Sequence, residues 1–270
     1  MPANGQQLAT VSAVPSQNFT PWRRMPAQPV DRLLPIFCIP HAGGVASSFT
    51  PWTDAYRDQG IEFVPIELPG HGRRRREPLQ KSMYLIVDDI LTVLGDRINE
   101  PFALLGHSLG ALIGYELTRQ LQQRRKPLPI LLIVSGSATP DAVHGPGRPE
   151  LSEEMLSTQL TVFPGGLSET VARSHYAQQL MLPVLRNDLQ LLSKYRRTVS
   201  YEVLDCPILA LGGDVDDFVR PQQPLEWKSL TSSHFDYQEI PGDHFFLYAD
   251  PDRSVTRIRQ QLTRIGMAQN

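Results

Sequence analysis

The pentapeptide Gly106-His107-Ser108-Leu109-Gly110 sets a hydroxyl between two glycines. It follows the apolar run Pro101-Phe102-Ala103-Leu104-Leu105 and precedes Ala111-Leu112-Ile113-Gly114-Tyr115-Glu116-Leu117. The first run reads as a buried strand and the second as a helix buried on most faces. A serine on a sharp strand-to-helix turn is a nucleophile elbow, and its flanking glycines let neighbouring backbone pass close by. The hydroxyl then stands at the N-terminal end of the helix, where unpaired amides and the helix dipole favour a developing negative charge. The chemistry this suits is attack on an acyl carbon. A tight turn with a buried structural serine is the bland alternative.

A serine hydroxyl needs a base to take its proton, and that base is a histidine held in one tautomer by a carboxylate. Downstream of Ser108 the candidates are His175, His234 and His244, with His144 set in a Pro/Gly loop. His244 follows the last strand-like run and precedes the final helix, so it is the expected base. For the acid, Asp214, Asp216 and Asp217 crowd the turn after Ile208-Leu209-Ala210-Leu211-Gly212-Gly213. Asp216 is the expected partner, Asp214 is the alternative, and the others read as turn formers. An oxyanion hole completes the set. One donor is expected from the Leu109 N–H and the other from the turn His41-Ala42-Gly43-Gly44, with Ala42 favoured.

The elements that must position these groups alternate. Leu33 to Ile39 reads as a strand, with Pro35 marking a strand end or an edge. A helix follows from about Ser47, carrying Phe49, Trp52 and Tyr56, and Gly60 stops it. Ile61 to Leu68 reads as a second strand. Ile86, Val87, Ile90, Leu91 and Leu94 recur at helical spacing. After the elbow helix, closed by Arg124-Arg125-Lys126 and Pro127, Ile130 to Val134 is a further strand. Alternation of this kind predicts a mostly parallel sheet covered by helices on both faces.

Residues 139–200 break the rhythm with Pro/Gly-rich loops and short helical pieces. Ser152 reads as an N-cap, and Pro164-Gly165-Gly166 and Pro183 as interruptions. Helices inserted at the C-terminal edge of a sheet sit where a lid would. Residues 31–138 and 201–270 then form the core, which resumes at Ile208 and ends in a helix with Val255, Ile258, Leu262 and Ile265 inward. Residues 1–30, rich in Pro, Gln, Ala, Ser and Thr, are expected to be disordered.

The chain has 270 residues, 41% hydrophobic and 20% charged, with a formal net charge of −2. That balance points to neither nucleic acid nor an anionic membrane. No run approaches a membrane span, and residues 1–30 lack the apolar core of a signal peptide. Cys38 and Cys206 lie in apolar runs and read as buried hydrophobes rather than a disulfide, so the protein is expected to be cytoplasmic. No metal or nucleotide motif is present, and no cofactor is expected. His41, His71 and His107 read as loop shapers or pocket walls.

Five segments together resemble the successive signatures of type II thioesterases, the free-standing editing enzymes of nonribosomal peptide and polyketide synthases. They are Phe37-Cys38-Ile39-Pro40-His41-Ala42-Gly43-Gly44, Pro69-Gly70-His71-Gly72-Arg73, Gly106-His107-Ser108-Leu109-Gly110, Gly212-Gly213-Asp214-Val215-Asp216 and Gly242-Asp243-His244-Phe245-Phe246. The resemblance covers about residues 33 to 265. It implies an α/β-hydrolase fold with a helical lid and a triad of Ser108, Asp216 and His244. It also implies an acyl or aminoacyl thioester substrate on the phosphopantetheine arm of a carrier protein, and a monomer is the default. The four consecutive arginines Arg73-Arg74-Arg75-Arg76 exceed the pattern, which asks for one. They read as a solvated face or as a docking patch for an acidic carrier.

Overall fold

The structure, a computed structural model, describes residues 33–142, 174–196 and 203–266. The expected disordered extension, Ser152, His144 and Pro164-Gly165-Gly166 lie outside the described residues. Six strands form one sheet: β1 (Leu34–Ile39), β2 (Ile61–Pro65), β3 (Ala103–His107), β4 (Leu131–Ser135), β5 (Ile208–Gly213) and β6 (Phe235–Ile240). Their order is β2-β1-β3-β4-β5-β6, and every adjacent pair is parallel. The chain leaves β1 for β2 on one side and returns to β3 on the other. The C-terminal ends of β1 and β3 therefore flank a topological switch point, where open α/β sheets hold their ligands.

Alternation along the strands sorts the core. Ile36, Cys38, Ala103, Leu105, Ile133, Leu209 and Leu211 pack on one face with Phe49, Trp52, Tyr56 and the C-terminal helix residues Val255, Ile258 and Leu262. Phe37, Ile39, Leu104, Leu132, Val134 and Ala210 pack on the other face, against helices on that side. The longer helices are α1 (Met83–Leu94), α2 (Leu109–Gln123), α3 (His175–Lys194) and α4 (Pro251–Arg264). Helices on both faces of a parallel sheet match the sequence pattern. Both cysteines are buried and free, and burial pushes their thiols up.

Local differences have local causes. The helix expected from Ser47 to Gly60 is three short turns, at Ala46–Phe49, Thr50–Thr53 and Arg57–Gln59, because Pro51 cannot donate in a longer ladder. Gly60 does end the last of them, at φ 78°. β2 stops at Pro65, after which Ile66 N–H still reaches the Cys38 carbonyl at 2.8 Å. β1 is interior, and Pro35 precedes its first residue paired with β3, so the proline marks a strand end and not an edge. α2 ends at Gln123, and Arg125 turns left-handed at φ 53°. The Arg125 and Lys126 amides then donate to the Gln122 and Leu121 carbonyls, a closure usually made with glycine.

Pro183 does not interrupt its segment, because α3 runs through it. Pro183 and Gln179 are both exposed, so water can take the carbonyl that proline leaves without a donor. α3 is the described helix of the 139–200 insertion. It is tied to α2 through Glu116, which is fully buried. That carboxylate accepts from Arg119 at 2.9 and 2.6 Å and from the Tyr195 hydroxyl at 3.0 Å. Removing one partner of a buried pair leaves an uncompensated charge. Glu116→Ala is therefore expected to cost about 3–5 kcal/mol in denaturant unfolding.

Candidate active site

Ser108 sits between β3 and α2 with φ 54° and ψ −114°. This is a strained backbone for a residue with a side chain. Its neighbours hold it there: Ser108 N–H donates to the Ser135 carbonyl at 2.8 Å, and Ala111 N–H donates to the Ser108 carbonyl at 3.0 Å. The glycines are needed for space. A Cβ on Gly106 would strike the Gly110 backbone, and one on Gly110 would strike the Ile39 carbonyl. β1, β3 and α2 thus meet in backbone contact. His107 and Leu109 are fully buried, while Ser108 between them is partly open.

His244, in the loop after β6, points Nδ1 at Asp216 Oδ2 at 2.9 Å. The Asp216 side chain is only 2% exposed, and its other oxygen accepts from the Phe218 and Val219 amides at 2.8 and 3.1 Å. A carboxylate facing Nδ1 keeps the proton there and leaves Nε2 as the basic nitrogen. Asp214 is exposed and accepts from Gly242 N–H at 2.8 Å, joining the loops after β5 and β6. Asp217 is exposed. The geometry therefore pairs His244 with Asp216 and gives Asp214 a loop-holding role. His175 opens α3 on an exposed position and hydrogen-bonds Gln179, and His234 precedes β6.

The His244 ring lies 5.1 Å from the His107 ring, next to Ser108 in the chain, and 4.9 Å from Phe218. Gly136 separates the two imidazoles from β4: a Cβ there would sit 2.6 Å from His107 Cε1 and 3.4 Å from His244 Cε1. Sequence reasoning missed Gly136, Phe218 and Ser135, although a glycine directly after a strand's C-terminal end was a usable signal.

The turn after β1 brings His41, Ala42, Gly43 and Gly44 beside the elbow. Gly44 N–H donates to the His41 carbonyl at 2.9 Å, and Gly43 N–H donates to Asp188 Oδ2 at 2.7 Å. The Ala42 N–H has no acceptor among the described residues. At the start of α2 the Leu109 amide has no carbonyl of its own helix to meet. From the sequence, these two amides are expected to take the oxyanion role.

His41 and His107 are buried as neutral rings. His41 Nδ1 lies 3.1 Å from the Tyr248 hydroxyl, and His107 Nδ1 lies 3.0 Å from Ser135 Oγ. Burial, then the nearby charge of His244, lowers His41 to about 3. Burial, then His244 and His41, holds His107 well below the ordinary imidazole value. Both therefore carry no charge at neutral pH. Among the described residues no group of three or more His, Cys, Asp or Glu could hold a metal, and no helix is long and apolar enough to cross a membrane.

A parallel sheet with an elbow serine after β3 and an imidazole–carboxylate pair from the loops after β5 and β6 defines an α/β-hydrolase fold. Comparison with known proteins narrows this. The thioesterase domain family model matches residues 34–262, and the chain belongs to the thioesterase family. It is 34% identical to the gramicidin S biosynthesis protein GrsT of Aneurinibacillus migulanus, over 85% of this chain and 89% of that protein. The RedJ thioesterase from the prodiginine biosynthetic pathway of Streptomyces coelicolor superposes with a TM-score of 0.71 at 30% identity, covering 93% of this chain and 94% of that one. YbtT, a type II thioesterase from the yersiniabactin pathway, gives 0.73 at 26% identity, covering 89% and 97%.

The buried neutral histidines make stability depend on pH in one direction. Below about pH 6.5 the unfolded chain protonates them and the folded chain does not. Stability therefore falls as pH drops, over a window that for His41 runs down to about 3. His41→Phe is expected to flatten the slope of unfolding free energy between pH 4 and 6 by up to about 1.4 kcal/mol per pH unit, measured by urea titration at each pH.

Proposed function

We propose that the protein is a serine thioesterase that clears acyl and aminoacyl groups from the phosphopantetheine arm of carrier proteins, as an editing enzyme of a nonribosomal peptide or polyketide synthase. The observation that carries this reading is the 2.9 Å bond between His244 Nδ1 and the sealed Asp216 carboxylate, in a chain of the thioesterase family whose Ser108 occupies a strained elbow. The names of its relatives, one from gramicidin S biosynthesis and one a type II thioesterase of the yersiniabactin pathway, support a carrier-bound substrate.

In this mechanism Ser108 Oγ attacks the thioester carbonyl while His244 Nε2 takes its proton. The Leu109 and Ala42 amides hold the oxyanion of the tetrahedral intermediate. Collapse breaks the carbon–sulfur bond, and the imidazolium gives its proton to the departing phosphopantetheine thiolate. Water then enters, loses a proton to the same nitrogen and attacks the acyl-serine. The second intermediate releases the free acid and returns the proton to Ser108. Asp216 stays ionised throughout and stabilises the imidazolium that forms twice.

Of the four arginines after the second motif, Arg74 is committed within the fold, donating to Asp89 at 2.7 and 2.8 Å and to Glu77. Arg73, Arg75 and Arg76 are exposed and are the ones that could meet an acidic carrier.

Mass spectrometry of carriers loaded with varied acyl groups, before and after exposure to the enzyme, tests the substrate class. Loss of the acyl mass is expected, with a simple oxygen ester cleaved far more slowly; the reverse preference would defeat the reading. Ser108→Ala is expected to abolish turnover and labelling by a fluorophosphonate probe without altering thermal unfolding. Asp216→Asn is expected to lower kcat by about 10⁴-fold, as loss of the tautomer-fixing carboxylate does in serine proteases. Asp214→Asn should leave kcat within about tenfold of wild type, and a drop of the Asp216 size there would reassign the acid.

A further inference from the structure

Asp188 lies on α3, in the inserted segment, and its side chain is 1% exposed. One of its oxygens, Oδ2, receives two donors: Gly43 N–H at 2.7 Å and His71 Nε2 at 2.9 Å. The opposite ring nitrogen, His71 Nδ1, faces the Pro69 carbonyl at 3.0 Å. A carbonyl can only accept, so Nδ1 carries a proton, and the carboxylate is matched best by a second proton on Nε2. Both side chains are sealed from solvent, and the geometry suits an imidazolium beside a carboxylate. Burial alone would lower the His71 pKa, but the Asp188 hydrogen bond and charge, the Pro69 carbonyl and the Glu67 charge outweigh it and leave it raised. The adjacent Asn187 anchors the helix by donating to the Gln80 carbonyl at 2.9 Å.

Three segments far apart in sequence thus end on one carboxylate oxygen: the turn after β1, the loop after β2, and α3. The turn is the one that bears Ala42. Gly43 is left-handed at φ 73°, a flexible residue that a single hydrogen bond can set. With the Gly43 amide taken by Asp188 and that of Gly44 by the His41 carbonyl, Ala42 alone of the three presents its N–H.

We propose that Asp188 is a positioning residue for acyl transfer: held by His71, its carboxylate fixes the Gly43 amide and so aims the neighbouring Ala42 N–H at the forming oxyanion. This rests on the reading of Ser108 as nucleophile and adds a residue that never touches the substrate. A carboxylate on the inserted helix then sets the geometry of a hole built by the sheet.

The test uses the full chain with an acyl N-acetylcysteamine thioester for turnover and a fluorophosphonate probe for Ser108. The end-point of labelling counts folded sites, and its rate reads the hole, because the phosphoryl oxygen occupies it. Asp188→Ala is expected to retain a full end-point while labelling rate and kcat per labelled serine fall about 10²-fold, the scale of one lost oxyanion donor. KM should move less than about threefold. Asp188→Asn keeps an acceptor for the Gly43 amide and should recover about tenfold of that loss. A kcat per labelled serine within threefold of wild type in Asp188→Ala would overturn the proposal. Should that variant not fold, Asp188→Asn decides: at least a threefold loss of kcat at unchanged KM supports the role, and wild-type kcat overturns it. If wild type itself neither labels nor turns over, the nucleophile reading fails first, which is a separate result.

Discussion

The structure depends on a place where three pieces of backbone meet with no room for a β-carbon. Gly106 on β3 faces the Gly110 carbonyl region of α2, and Gly110 faces the end of β1. Only this approach lets β3 turn into α2 within one residue, and that residue is Ser108 at φ 54°. Such a conformation costs on the order of 1–3 kcal/mol and persists only where its surroundings over-determine it. Here the parallel sheet does so, through the Ser135 carbonyl on the adjacent strand and through the buried residues on either side. The other candidate groups lie in the turn after β1 and in the loops after β5 and β6.

Around it stand four buried imidazoles with different partners. His41 and His107 pack among aromatic rings, and burial holds both neutral. His244 and His71 each face an aspartate at 2.9 Å. The two pairs differ in what the other ring nitrogen meets. His71 spends its second nitrogen on the Pro69 carbonyl, so the ring is satisfied on both sides and is fitted to hold rather than to transfer. His244 is bonded to its carboxylate through Nδ1, and the charge that a proton on Nε2 would create is compensated across the ring. The same imidazole–carboxylate contact thus occurs twice, and at His71 both ring nitrogens are taken.

The sequence made much of this legible because the informative residues follow local rules. Strand-to-helix alternation, the glycines around Ser108 and the loop position of His244 each mark a backbone event within a few residues. Asp216 and Asp214 were only partly separable, since both suit a turn after β5 and the difference lies in which loop atom each reaches. Asp188 was not legible at all. It sits in an amphipathic helix where an aspartate reads as a surface residue, and its partners are 145 and 117 residues away in the chain. Pro183 was misread because a proline's cost depends on whether the freed carbonyl meets solvent, which periodicity does not report. The segmented turns between β1 and β2 were misread as one helix because apolar spacing at Phe49, Trp52 and Tyr56 survives in tandem short turns.

The two aspartates after β5 show how an imidazole is placed by an interaction that is not its own. A Cβ on Gly213 would lie 2.5 Å from the Gly242 carbonyl and 2.6 Å from that of Asp243, so the loops after β5 and β6 touch backbone to backbone. Asp214 reinforces that contact from both ends: its N–H donates to the Ile240 carbonyl at 3.1 Å, and its carboxylate accepts from Gly242 N–H at 2.8 Å. Val215 N–H adds a third link, to the Gly242 carbonyl at 3.2 Å. With the loops stapled there, the separation between residues 216 and 244 is set before either side chain is considered. Asp216 needs only to orient its carboxylate, and the Phe218 and Val219 amides do that. The His244–Asp216 bond is therefore held by a frame of backbone contacts that does not depend on either side chain.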